Sequence, residues 1–132
     1  MRNAYAAIEN KQRPLITIRF TGQAATDESF QQYLNDLESL YDAKQPISLI
    51  FNAEKAVLPK FKHQQQQAQW LKDKEALMRT YCRGTAYVIQ SAVIRLVLKA
   101  IFALQVQPVP YAIVDTQQAA EAWAENQLMQ KQ

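Results

Sequence analysis

The spacing of apolar and polar positions divides the chain into alternating strands and helices. Residues 14–21 alternate strictly, with Ile16, Ile18 and Phe20 on one side and Thr17, Arg19 and Thr21 on the other, which is the period of a half-buried strand. Residues 4–9 (AYAAIE) read as a shorter strand, and the polar stretch 10–13 as the turn of a hairpin joining the two. Phe30, Tyr33, Leu34, Leu37, Leu40 and Tyr41 then recur at helical spacing behind Thr26, a good N-cap followed by Asp27 and Glu28 at the positive end of the helix dipole. Pro46 ends that helix, 47–51 is a short apolar strand and 53–59 a loop. One helix is predicted over 61–81, with Phe61, Ala68, Leu71 and Met78 near one face. A strand over 84–89 places Ala86 and Val88 opposite Tyr87 and Ile89. Ser91 caps a further helix, Pro108 and Pro110 end it, and 111–114 is a last strand before a helix capped by Thr116 and bearing Ala120, Trp123 and Leu128. The order β-β-α-β-α-β-α-β-α predicts one α/β domain over residues 1–132, with a mixed, mostly parallel sheet of about five strands, an N-terminal antiparallel edge hairpin and about four helices.

The segment 91–106, SAVIRLVLKAIFALQV, departs from the ordinary two-sided pattern. Ser91, Arg95, Lys99 and Gln105 share an arc of roughly 120° with Leu98, Phe102 and Val106, and the remaining surface is wholly apolar. The wide apolar side is expected to be core. The narrow side mixes cations with large hydrophobes, so Arg95, Leu98, Lys99 and Phe102 are candidates for an interface or a ligand rim. The alternative for the two cations is that their stems cover apolar surface while the charges reach water. The other face of the sheet, with Thr17, Arg19, Thr21 and Ser48, is too polar to supply the missing cover, whereas a symmetric dimer through 91–106 would.

Composition narrows the function classes. The 132 residues suffice for one core, and the formal charge is only +3 despite an isoelectric point near 9.0. Basic residues such as Arg2, Lys11, Arg13, Arg19, Lys44 and Lys55 are scattered. That distribution lacks the patch or stripe of a nucleic-acid binder, and none is expected as a partner. Cys82 is the one cysteine, which excludes an intrachain disulfide and fits a reducing cytoplasm. The first fourteen residues lack the apolar core of a signal peptide, and 91–106 is shorter than the roughly 20 apolar residues of a membrane span. A cytoplasmic protein without a membrane span is expected. Gly22 and Gly84, the only two glycines, fall at strand ends and read as turn residues. Glutamine occurs eighteen times, and Gln64–Gln67 reads as the solvated face of a helix.

Candidate chemistry is sparse. No catalytic motif or metal signature occurs, so the protein is expected to be non-enzymatic and free of cofactors and metals. His63 reads as an exposed first-turn residue, since general bases and metal ligands need partners that the sequence does not announce. Lys60, Lys62 and His63 cluster at a helix start and form a weak anion-site candidate. Cys82 lies beside Arg83, which can lower a thiol pKa, but its apolar context favours an inert packed thiol.

The joint order of FTG (20–22), the Phe-Tyr-Leu helix over 30–41, QAQW (67–70), YCRGTAYVI (81–89), a helix ending in LQ before a Pro-rich strand, and AEAW (120–123) resembles the small bacterial SpoIIAA-like (STAS/SEC14-like) domains over roughly 14–128. The resemblance implies a compact β-α superhelix with a mixed sheet. In that family, anti-anti-sigma factors bind a partner kinase and are switched by phosphorylation of a Ser after the central strand. Here the corresponding region is ISLIFNAEKAVLPKFKH, and no Ser or Thr occurs from residue 49 to 79. The usual switch, which adds nearly two charges at an interface, therefore has no acceptor. The first functional expectation is a protein-interaction or regulatory domain that self-associates. The alternative is a binding module for a small hydrophobic or anionic, lipid-like amphiphile, with Arg95 or Lys99 at its head.

Overall fold

Three of the helix starts form as the hydroxyl caps dictate. Thr26 accepts a hydrogen bond from Ser29 N at 3.0 Å and Ser29 Oγ accepts from Thr26 N at 2.9 Å, a reciprocal box opening α1 (Asp27–Ser39). Ser91 accepts from Ile94 N at the start of α4 (Ala92–Leu104), and Thr116 from Ala119 N at the start of α5 (Gln117–Met129). The remaining helices are α2 (Phe61–Asp73) and α3 (Glu75–Tyr81), and the strands are β1 (Ala6–Glu9), β2 (Leu15–Phe20), β3 (Ile47–Asn52), β4 (Cys82–Val88) and β5 (Tyr111–Val114). This computed structural model describes residues 3–130; residues 1, 2, 131 and 132 of the expected domain lie outside them.

The chain is an α/β protein with one five-stranded mixed sheet in the order β1-β2-β3-β4-β5. β1 and β2 pair antiparallel, with Ala6 opposite Phe20, and every later pairing is parallel. Because the strand order never reverses, right-handed crossovers carry α1, α2–α3 and α4 over the same face. The opposite face is left for α5, which packs on β2, β3, β4 and β5.

Three expectations are corrected. The helix predicted over 61–81 is two, because Lys74 takes bridge-region dihedrals (φ −104°, ψ 13°) and α3 then runs into β4 with no intervening residue. Five helices result, not about four. The polar face of the sheet is not open: Ser48 is fully buried and Thr17 nearly so, and Leu15, Ile50, Ala86 and Val88 pack against Ala120 and Ala124 of α5. Gly84 is not a turn residue but lies inside β4. A Cβ there would sit 2.9 Å from Trp123 Cη2, so its absence lets the indole close on the sheet. Gly22 does occupy a turn, with φ +97° directly after β2.

Candidate functional site

The crossover layer does not fill all of the space above the sheet. α1 brings Phe30, Tyr33, Leu34 and Leu37 down over the first strands, and α4 brings Ile94, Leu98, Ile101 and Phe102 over β4 and β5. Between them, under α2, lies a cavity of about 120 Å³. Its walls are largely aromatic. Phe51 and Tyr87 stack with centroids 5.2 Å apart, and Phe102 meets Tyr87 edge-on at 5.9 Å. At the α1 side Tyr5 and Tyr33 meet edge-to-face at 5.3 Å. A comparable apolar cavity of roughly 150 Å³ in another protein stays dry and takes up benzene.

Polar side chains line this wall at several places: Gln64 and Gln67 of α2, and three residues that each carry a buried polar atom without a hydrogen-bond partner. His63, in the first turn of α2, is 1% exposed and stacks on Phe30 with centroids 4.6 Å apart and planes within 6°. Its Nε2 lies 3.0 Å from Asp27 Oδ1 and donates to that carboxylate, and its Nδ1 has no partner. Gln107 donates from Nε2 to the Tyr87 hydroxyl at 2.7 Å, and its Oε1 is likewise buried and unpartnered. The third is the Tyr41 hydroxyl. All three residues line the cavity. Burial raises the pKa of Tyr33, Tyr41 and Tyr87 and pushes Tyr5 up to about 12, so these phenols stay neutral. Among the described residues, no lysine, arginine or acidic side chain lines the cavity.

The candidates named from sequence fall in different surroundings. Leu98 and Phe102 turn inward, half-buried against Ala53, Tyr87 and Ile89. Arg95 is held at the edge of α4 by Ile89 O at 2.9 Å and Asp115 Oδ1 at 2.7 Å. Lys99 is exposed, and neither cation lines the cavity. Lys60 and Lys62 are exposed at the start of α2, and Lys62 pairs with Asp27 Oδ2 at 2.7 Å. His63 is a correction: its ring is buried on Phe30, away from solvent, because Asp27 supplies a partner 36 residues earlier in the chain. Cys82 is buried, and burial pushes its thiol up to about 11 despite the opposing influence of Arg83. Among the described residues, no group of three His, Cys, Asp or Glu side chains is placed to hold a metal. No helix there is long and apolar enough to cross a membrane.

The side of α4 expected to be core is split: Ile94, Val97 and Ile101 pack inward, but the rest of it faces outward. Val93, Leu96 and Leu104 are 56%, 65% and 54% exposed, Ala100 lies between them, and Ala92 and Ala103 flank the stripe. Only Ile101 of α4 is fully buried. Sequence reasoning missed Val93, Leu96 and Leu104 because both sides of this helix are apolar and periodicity cannot rank them. No family model matches the chain, and no curated protein matches it. What fold and geometry define is an α/β domain with an aromatic cavity on one side of its sheet and an uncovered apolar helix above it.

Proposed function

We propose that this chain is a non-enzymatic interaction domain of the SpoIIAA-like type, acting in the cytoplasm, and that it self-associates through α4. The observation that carries the reading is the outward stripe Val93, Leu96, Ala100 and Leu104, large and apolar at its ends and small at its centre. In an antiparallel pair with the two-fold axis at Ala100, Leu96 of one protomer meets Leu104 of its partner, and the alanines let the helices approach. Such a contact is isologous, the common form for small homo-oligomers. The continuous β-α succession and the sequence motifs support the SpoIIAA-like assignment. With no hydroxyl from residue 49 to 79, control would come from association rather than from the family's phosphorylation site.

A 13-residue helix is about 20 Å long. Its stripe alone falls short of the roughly 800 Å² per partner of a standard interface, so a weak, concentration-dependent dimer is expected. Sedimentation velocity over a concentration series tests this. A wild-type chain that stays monomeric throughout, or a Leu96→Asp variant that dimerises like wild type, would overturn the reading.

A further inference from the structure

Among the described residues, five buried side-chain oxygen and nitrogen atoms have no hydrogen-bond partner, and three of them belong to residues on the wall of one cavity. The other two, Ser48 Oγ and Thr85 Oγ1, belong to central strands and do not line it. Buried polar atoms are nearly always satisfied; the Tyr41 hydroxyl has the Cys82 thiol beside it, but Gln107 Oε1 and His63 Nδ1 call for an explanation that the protein by itself does not provide. From this we infer that the cavity is a binding site for a small, uncharged aromatic molecule carrying a hydroxyl or N–H donor, of the phenol class.

The chemistry follows from the wall. Shape and size come first: about 120 Å³ between Phe51, Tyr87, Leu98 and Phe102 holds a single ring and is too small for a fatty acyl chain. Aromatic walls favour a flat guest through edge-to-face and offset contacts. Polarity comes second. Gln107 Oε1 is a carbonyl oxygen and accepts, while one N–H of the same amide is committed to Tyr87. In the neutral ring the Asp27 carboxylate holds the proton on Nε2, so that His63 Nδ1 accepts as well. A guest that donates a hydrogen bond would satisfy either acceptor. Charge comes last. Among the described residues no lysine or arginine lines the space, and Arg95 and Lys62 are engaged elsewhere, so an anion entering it would be desolvated with only the His63 ring, already paired with Asp27, beside it. This site is separate from the outward stripe of α4, so it stands or falls independently of self-association.

The test compares phenol, toluene and benzoate by chemical-shift titration of the wild-type protein. Phenol should bind roughly tenfold more tightly than toluene, the usual scale of one hydrogen bond to a buried acceptor, and benzoate should bind least. The shifts should centre on Phe51, Tyr87 and Phe102. Gln107→Leu and His63→Phe, each checked for folding by circular dichroism, should between them abolish the preference for phenol over toluene while toluene still binds. Equal binding of phenol and toluene would overturn the inference, leaving a merely apolar hole. Tighter binding of benzoate, shifts centred elsewhere, or no binding of any probe would overturn it as well.

Discussion

Replacing Leu96 by Asp separates the outer surface of α4 from the core beneath it. Leu96 is 65% exposed in the single chain, so the substitution removes little that holds the fold together. Surface changes of this kind usually shift stability by about 0.5 kcal/mol or less, to which Asp adds up to about 0.7 kcal/mol of lost helix propensity. In a dimer the same side chain is covered. Burying a whole leucine is worth about 1.5–3 kcal/mol, so the two-thirds still exposed is worth about 1–2 kcal/mol per protomer. Both protomers lose it, which sums to about 2–4 kcal/mol, or a dissociation constant weakened about 30- to 1000-fold. Desolvating two carboxylates would add to that. The assay is sedimentation velocity on both proteins, with a thermal melt alongside. Leu98→Asp is the contrasting variant: its half-buried side chain packs toward Tyr87 and Ile89, so it should lower the melting temperature strongly. The reasoning is refuted if Leu96→Asp unfolds the protein as Leu98→Asp does, or if its sedimentation matches wild type at every concentration.

Other consequences follow from single contacts. Gly84→Ala should destabilise by about 1–3 kcal/mol in urea, because the new methyl would press on Trp123 from 2.9 Å; an unchanged midpoint would show that the indole gives way freely. The Asp27 carboxyl is held below its ordinary value of 3.8 by hydrogen bonds from Lys62 and then His63. A lowered folded-state pKa means that this stabilisation is fully present above the unfolded value and is lost as pH falls through the folded one. The stability gap between wild type and Asp27→Asn should therefore be constant at neutral pH and shrink below about pH 4, and a gap that widens on acidification would contradict the assignment. Cys82, buried with its thiol pushed up to about 11, should react slowly with a disulfide reagent in the folded protein and fully in urea, and fast native labelling would refute that burial.

The legible parts of the fold were those written in short-range pattern. The alternation in residues 14–21, the cap at Thr26 with acids behind it, and the opposed pairs Ala86/Val88 and Tyr87/Ile89 each involve neighbours within a few residues, and all appear in the structure. The break at Lys74 was not legible, since no proline or glycine marks it. Gly84 was misread because a glycine made necessary by another side chain looks the same in sequence as a glycine made necessary by a turn. Only its approach to Trp123, 39 residues later, tells the two apart.

The candidate site divides the same way. That 91–106 departs from an ordinary amphipathic helix was evident from an apolar segment carrying only Arg95 and Lys99 as charges. Which side would face out was decided by the sheet: Tyr87 and Ile89 take up Leu98 and Phe102, and Arg95 is drawn to Ile89 O and Asp115. His63 likewise has nothing local to mark it, because its partners Asp27 and Phe30 lie on another helix. Sequence by itself determined most of the elements and their order, because propensity and capping act locally; the strand order, and with it the side of the sheet on which the crossovers lie, came from tertiary structure. The choice between two equally apolar helix faces, the burial of a lone histidine and the gathering of three unpaired polar atoms around one cavity are contacts between distant segments, and only tertiary packing decided them.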